Sequence, residues 1–439
     1  MAAGGPVFEF DEFRLDAGKR LLSKSGQVVA ILPKAFNLLV FLVQHRHRAL
    51  DKDEILHGVW PGTFVSEANL TQNISVLRKA LGESPREHRY IVTVPGRGYR
   101  FAAEVHEPLP STGNQVRAHK LTTRARHWLN KRLTETILEA ITGFIEATDA
   151  DPEFAPAWVG LSDAYALLSL YGASLPAAVF PRAKAAAETA LRFDPGQAEA
   201  HNALGVVELF YEWNWPAAEQ AFQRAIALNP NYGDAYQRYG LYLTAMGRFD
   251  EARRALARAE ALDPLSRIIP TIAGYPAYYG RDYQAAARQF RHVLQVDPNF
   301  SMAHFRLGLA LAQMGRFDEA LAELGISKQL SNDRDVVAAL GRVHAMMGNT
   351  AAALEAVKEL HVRSKSTFVP SYSVAVIYAA LGQTATALEW LQRAFAERSY
   401  WMIYRNIDPA LDPLRIEPGF DAIARQVAPR GSPVATGLD

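Results

Sequence analysis

Apolar and polar positions alternate over residues 7–32, with turn signals at Asp16-Ala17-Gly18 and Ser25-Gly26. A period of two predicts short antiparallel strands. The rhythm then changes. PKAFNLLVFLVQH predicts a helix opened by Pro33, placed in the first turn, where its missing N–H leaves nothing unpaired. A second helix is expected from about Asp51 (DKDEILHGVW), and a third over SEANLTQNISVLRKALG with Ser66 as N-cap and Gly82 as C-cap. In the third, Leu70, Ile74, Leu77 and Leu81 fall at i, i+4, i+7 and i+11, so one face is buried. The other face carries Ala68, Thr71, Gln72, Ser75, Val76 and Lys79, flanked by Asn69, Asn73 and Arg78. RYIVTVPGRGYRFAAE then predicts two strands about a Pro-Gly-Arg-Gly turn. Helix, helix, exposed-face helix and hairpin is the order of a winged helix-turn-helix, an α+β fold whose third helix enters a major groove.

Further along, the pattern repeats. Pro195, Pro230, Pro264 and Pro298, each preceded by Asp or Asn, are spaced 35, 34 and 34, and Ala218, Ala252, Ala286 and Ala320 keep a beat of 34. That period marks a helix–turn–helix solenoid, an all-α architecture. Each repeat holds one helix, a Gly turn (MGR at 246–248 and 314–316) and a second helix entered by Asp-Glu-Ala and ended by the acid-proline pair. Gly240, Gly274 and Gly308 let neighbouring helices approach. We count about seven pairs from Phe154 to Ser399, with a degenerate pair around 121–148. Pro152 to Pro195 spans 43 residues, and the excess is assigned to a longer loop in LYGASLPAAVFP. Pro276 is expected to kink its helix. NIDPALDPLRIEPGFDAIARQV reads as a short helix capping the solenoid's polar end. The expected divisions are 1–105, a linker at 106–116, a solenoid at 117–428 and a disordered tail at 429–439.

The 439 residues include no cysteine, which excludes disulfides, cysteine–zinc sites and thiol catalysis. Clean apolar runs such as Leu38 to Val43 are far short of the ~18–20 residues a membrane helix needs. The start lacks a basic segment followed by an apolar one, so no signal peptide is expected, and the chain reads as cytoplasmic. Charge is uneven: +3 over 1–105, +5 over 106–134 and −7 over 135–439. A basic front suits a polyanion partner. Arg117, Lys120, Arg124, Arg126, Lys131 and Arg132 read either as a solvated helix face or as a strip beside the wing.

No HExxH, phosphate loop or paired-carboxylate arrangement is present, so the chain reads as a non-enzyme without metal or cofactor. His201 and His304 hold equivalent repeat positions and read as packing or groove lining. By repeat alignment the concave surface includes Gln237, Leu241, Thr271, Tyr275, Tyr278, Phe305, Leu309 and Tyr372, a lining aromatic and apolar rather than cationic. Gln237, Tyr275, Tyr278, Phe305 and Tyr372 are therefore expected to form a partner-binding groove.

The repeats resemble tetratricopeptide repeats. ISVLRKALG followed by YIVTVPGRGYRF, with KDEILHGVW ahead of it, resembles the OmpR/PhoB-type DNA-binding domain over residues 7–103. That resemblance implies double-stranded DNA as a partner. It places Gln72, Asn73, Ser75, Val76, Arg78 and Lys79 on a recognition helix and Thr93 on a wing. Ser75 and Val76 stand where phosphate-response members often carry arginine, and Pro95 replaces a wing arginine for which Arg97 can substitute. The expected whole is a one-component transcriptional regulator whose repeats engage a protein or peptide, another copy of the chain or RNA polymerase, or sense a signal. The alternative is an adaptor in which the winged helix does not act on DNA.

Overall fold

The structure, a computed structural model, describes residues 6–60, 66–83, 89–106, 113–131, 133–171, 173–331 and 333–427. The alternating front forms a four-stranded antiparallel meander, β1 (Val7–Phe10), β2 (Phe13–Asp16), β3 (Leu21–Lys24) and β4 (Gln27–Val28). Phe8, Phe10, Phe13, Leu15 and Leu22 turn inward as the period of two requires. Next come α1 (Pro33–Gln44), β5 (Leu50–Asp51), α2 (Lys52–Val59), α3 (Glu67–Ala80), β6 (Ile91–Val94) and β7 (Gly98–Phe101). A second sheet runs in the order β5-β7-β6. One apolar core, from Phe8 to Phe101, serves both sheets and all three helices.

The linker expectation is corrected at both described ends. His106 exchanges backbone hydrogen bonds with Glu9 (2.8 and 2.9 Å), and a helix already begins at Gly113. The expected disordered tail lies outside the described residues.

Eight helical pairs follow: α4 (Gly113–Asn130) with α5 (Thr134–Ala150), α6 (Ala155–Leu170) with α7 (Pro176–Phe193), α8 (Ala198–Val207) with α9 (Trp215–Leu228), and α10 (Gly233–Ala245) with α11 (Phe249–Leu262). In the next pair the first helix is split into α12 (Ile268–Ile272) and α13 (Tyr275–Tyr279), ahead of α14 (Tyr283–Val296). Pro276 thus does more than kink: it starts a new helix after a break at Ala273-Gly274. The last pairs are α15 (Ser301–Gln313) with α16 (Phe317–Ser331), α17 (Arg334–Met346) with α18 (Thr350–Arg363), and α19 (Ser371–Ala380) with α20 (Thr384–Ala396).

The repeat chemistry works as the 34-residue beat implies. Gly247, Gly315, Gly348 and Gly382 adopt φ between +72° and +79° and close the first helices α10, α15, α17 and α19, a conformation costly for any side chain with a Cβ. The beat alanines, Ala218 to Ala387, are fully buried. In the long early repeat the loop assignment is corrected. The excess lies mostly in longer helices, because PAAVFP is the start of α7 and the break between helices is only Tyr171–Leu175.

The C-terminal segment also differs from expectation. It contains two tight 3-10 turns (Tyr400–Tyr404 and Pro409–Leu414) and α21 (Pro418–Val427). It does not merely cap the last repeat; it runs back along the repeats. Trp215 Nε1 donates to the Val427 carbonyl at 2.7 Å, Tyr404 stacks on Tyr279 at 4.5 Å, and Arg281 makes two 2.8 Å hydrogen bonds to Asp412.

Candidate nucleic-acid interface and the repeat interior

α3 is set between the front core and the hairpin by a few specific bonds. Its apolar stripe, Leu70, Ile74 and Leu77, is buried against α1 and α2. At its C-terminus, Gly82 (φ +71°) donates to Lys79 O at 3.1 Å and Glu83 N to Arg78 O at 2.8 Å, the paired bonds of a Schellman stop. Ser66 holds the N-cap position without a side-chain capping bond. The buried Glu83 carboxylate accepts from Tyr90 N (3.2 Å) and Ile91 N (3.3 Å), so the helix end is tied to β6.

The hairpin turn has Arg97 N donating to Val94 O at 3.0 Å, with Pro95 first and Gly96 (φ +75°) second, the type II pattern. Gly98 follows at φ +143°, and a Cβ there would overlap the Leu50 carbonyl, so β5 and β7 approach closely only because this residue is glycine. The turn therefore projects Arg97 into solvent at the tip.

The expected DNA-contacting residues fall into two sets. Gln72, Ser75, Lys79, Thr93 and Arg97 are exposed, and the first three share one helix face. Asn73, Val76 and Arg78 are half-buried. Val76 packs on the front core, and Asn73 donates to Asn69 O at 2.8 Å. Arg78 donates from Nη2 to Ile91 O and to Thr93 Oγ1, each at 2.9 Å. Two expected DNA contacts thus bind each other and join helix to wing. Glu83, the other link, escaped sequence reading because a glutamate after a C-cap glycine looks like any solvated acid.

The front unit touches the repeats on the other elements. Lys19 Nζ lies 3.2 Å from Asp194, Asn231 donates to Val29 O at 3.0 Å, and the Lys34 amine, pushed down by burial, is countered by Asp263. None of these contacts uses α3 or the hairpin. The basic strip is partly engaged elsewhere: Arg124 pairs with Glu146 and stacks on Trp128, and Arg126 faces the Pro156 carbonyl.

The repeat interior corrects the groove expectation. Gln237, Tyr275, Tyr278 and Tyr372 are buried and Phe305 is half-buried, and the C-terminal segment lies against Tyr372 and the neighbouring Tyr279. Tyr278, Phe305 and Tyr372 do come together around one small cavity, beside Trp401 of that segment; Gln237 and Tyr275 do not line it. The cavity is also charged, contrary to expectation, since Arg306 and Arg342 line it together with Asp335 and Asp408. Repeat alignment missed them because both sit among apolar positions and read as solvated turns of their helices. His304 and His201 act as repeat staples. His304 Nε2 lies 2.8 Å from Pro298 O and its Nδ1 2.6 Å from Glu323, and His201 Nε2 lies 3.0 Å from Pro195 O.

Comparison with known proteins agrees with this geometry. The family described as "Transcriptional regulatory protein, C terminal" matches residues 26–101, and two tetratricopeptide-repeat families match 209–268 and 273–325. The transcriptional activator CadC of Escherichia coli is 35% identical over 101 residues, 23% of this chain and 20% of that protein. The transcriptional regulator HilA of Salmonella typhi is 42% identical over 94 residues, 21% of this chain and 17% of that one. The chain thus matches about a fifth of the length of these curated relatives. The solved DNA-binding domain of Escherichia coli CadC, at 33% identity, covers 24% of this chain and 99% of that domain, with a TM-score of 0.22. The chain joins an OmpR/PhoB-type winged helix-turn-helix domain to a tetratricopeptide-repeat solenoid.

Proposed function

We propose that the protein is a DNA-binding transcriptional regulator in which residues 1–105 read DNA and the repeats of 117–428 receive a protein partner or a signal. The supporting observation is the exposed face of α3, with Gln72, Ser75 and Lys79 open to solvent beside a hairpin tip carrying Arg97, while among the described residues the polar contacts between front unit and repeats use other elements. Gln pairs bidentately with adenine in a major groove, and Lys and Arg neutralise phosphate. Arg78 then acts by fixing the angle between helix and hairpin. Thr93 and Arg97 lie where a wing meets backbone. The reading places the protein in the cytoplasm, beside DNA.

The test is binding of duplex DNA by the full chain and by residues 1–105 over a salt series. Affinity should fall steeply with salt, at about −0.9 in log–log slope per phosphate neutralised. A salt-independent signal, or none at low salt, overturns the reading. Changing Gln72 and Ser75 to Ala should erode preference in a randomised-site competition by roughly 1–3 kcal/mol per lost base contact.

A further inference from the structure

Two cations in the repeat interior have no role in DNA reading. Arg306 on α15 and Arg342 on α17 are each 6% exposed, and both line a cavity of about 60 Å³ between the repeats and the C-terminal segment. Among the described residues neither guanidinium forms an ion pair with a carboxylate. Arg306 is surrounded by rings instead: Tyr275 at 4.1 Å, with Phe305 and Trp401 each at 5.2 Å. Its Nε has no hydrogen-bond partner. Arg342 lies against Tyr278.

Two acids share the cavity, but their oxygens are engaged elsewhere. Asp335 accepts from Ser373 Oγ (3.1 Å) and Tyr400 OH (2.7 Å). Asp408 accepts from Tyr372 OH and from Ala410 N, both at 2.8 Å. The two acids offset the guanidiniums in charge, but among the described residues no carboxylate meets either donor fork at ion-pair distance, and an anion placed there gains the charge-assisted hydrogen bonds that the rings do not supply.

We propose that this cavity is a binding site for a small organic monocarboxylate with a flat or apolar body. A carboxylate matches the planar donor fork of arginine, and two arginines line this cavity. Tyr278, Tyr279, Phe305 and Trp401 supply aromatic walls for the body. Asp335 and Asp408 set the charge of the ligand: with two acids and two guanidiniums the lining is neutral overall, so a single anionic charge is accommodated more readily than the second charge of a dianion. The volume admits a handful of water-sized groups, so a carboxylate head and short body fit, and a peptide segment does not. Because Trp401, Asp408 and Ala410 belong to the C-terminal segment and the other lining residues to the repeats, a bound acid fastens one to the other.

The experiment uses the full chain and reads no DNA binding, so its outcome is independent of the proposed function. Benzoate, phenylacetate, indole-3-acetate and hexanoate are titrated up to millimolar concentration, each against its neutral amide. Inorganic phosphate and a short peptide with a free C-terminal carboxylate are added as further arms. Thermal melting is the common readout, with tryptophan fluorescence for the ligands that do not absorb there. At least one monocarboxylate should bind saturably and raise the melting temperature, its amide should bind at least tenfold more weakly, and phosphate should have no effect. Arg306→Gln and Arg342→Gln should each weaken the acid at least tenfold. Arg306→Lys and Arg342→Lys, which keep the charge if the glutamine variants fail to fold, should weaken it less. The proposal is overturned if no monocarboxylate binds, if acid and amide bind equally, if only phosphate or only the peptide binds, or if affinity is unchanged in every folded arginine variant.

Discussion

Arg78 sits at the last turn of α3 yet faces the wing, and its bonds to Ile91 O and Thr93 make it a brace. Arg78→Ala should therefore lower the stability of the front unit by about 1.5–3 kcal/mol, the scale of hydrogen bonds to a charged group. Binding should also weaken evenly across DNA sequences. Arg97→Ala should weaken binding evenly with no change in melting temperature; urea unfolding beside the competition assay separates the two. Glu199 offers a second residue-scale test. Burial pushes its carboxyl up to about 7, opposed by its own backbone N–H, Arg126 and Arg20 and reinforced by Asp163. An acid whose folded pKa is raised binds its proton more tightly when folded. Stability is thus lost as pH climbs from about 4.5 to about 7, and is flat above. Compared with Glu199→Gln by denaturant unfolding at pH 5 and pH 8, the parent should lose more stability on going to pH 8, by at most about 3 kcal/mol at 1.36 kcal/mol per pK unit. Equal losses would refute this. Which polar residues of α3 and the hairpin stay free at the surface was only half legible in the sequence. A helical wheel places Gln72, Ser75 and Lys79 outward, but it cannot show that Arg78 and Thr93, 15 residues apart, would find each other.

Helix pairs are made by a glycine facing a large side chain about sixteen residues later. A Cβ on Gly240 would lie 2.6 Å from Leu256 Cγ, and one on Gly308 2.6 Å from Leu324 Cγ; Gly205 stands likewise to Phe222. Gly240→Ala should thus cost about 1–3 kcal/mol through overpacking, despite alanine's better helix propensity, as calorimetry or urea unfolding would show. A neutral or stabilising result would mean that the two helices can part without loss. The elements themselves were legible, since strand alternation, the amphipathic α3 and the 34-residue beat are local signals. Where the reading failed, a local signal was overruled by packing. The prolines of LYGASLPAAVFP read as a loop, but Pro176 occupies the first turn of α7, where proline is tolerated, and Pro181 is carried inside the same helix. The expected linker failed for a similar reason: its last residues are the first turn of α4.

At the scale of the molecule, the C-terminal segment decides what the repeat interior is. Tyr278, Tyr279 and Tyr372 are buried because Tyr404, Trp401 and Asp408 lie against them, and nothing in a repeat alignment places a segment from the far end of the chain there. Deleting residues 400–439 should uncover this aromatic surface, raising binding of a hydrophobic dye and lowering the melting temperature; a truncated chain that melts like its parent would contradict the packing. The Trp215–Val427 hydrogen bond joins positions 212 apart in sequence. In an open array of repeats each unit feels only its neighbours, and the ends fray independently. A chain whose tail reaches back to an early repeat has no free end on that side: the last pairs cannot loosen until the tail lets go, and the tail is held by helices from several repeats. Native-state hydrogen exchange should then show α19 and α20 opening together with α9 rather than ahead of it, and the strap turns what would be a spring into a clasp.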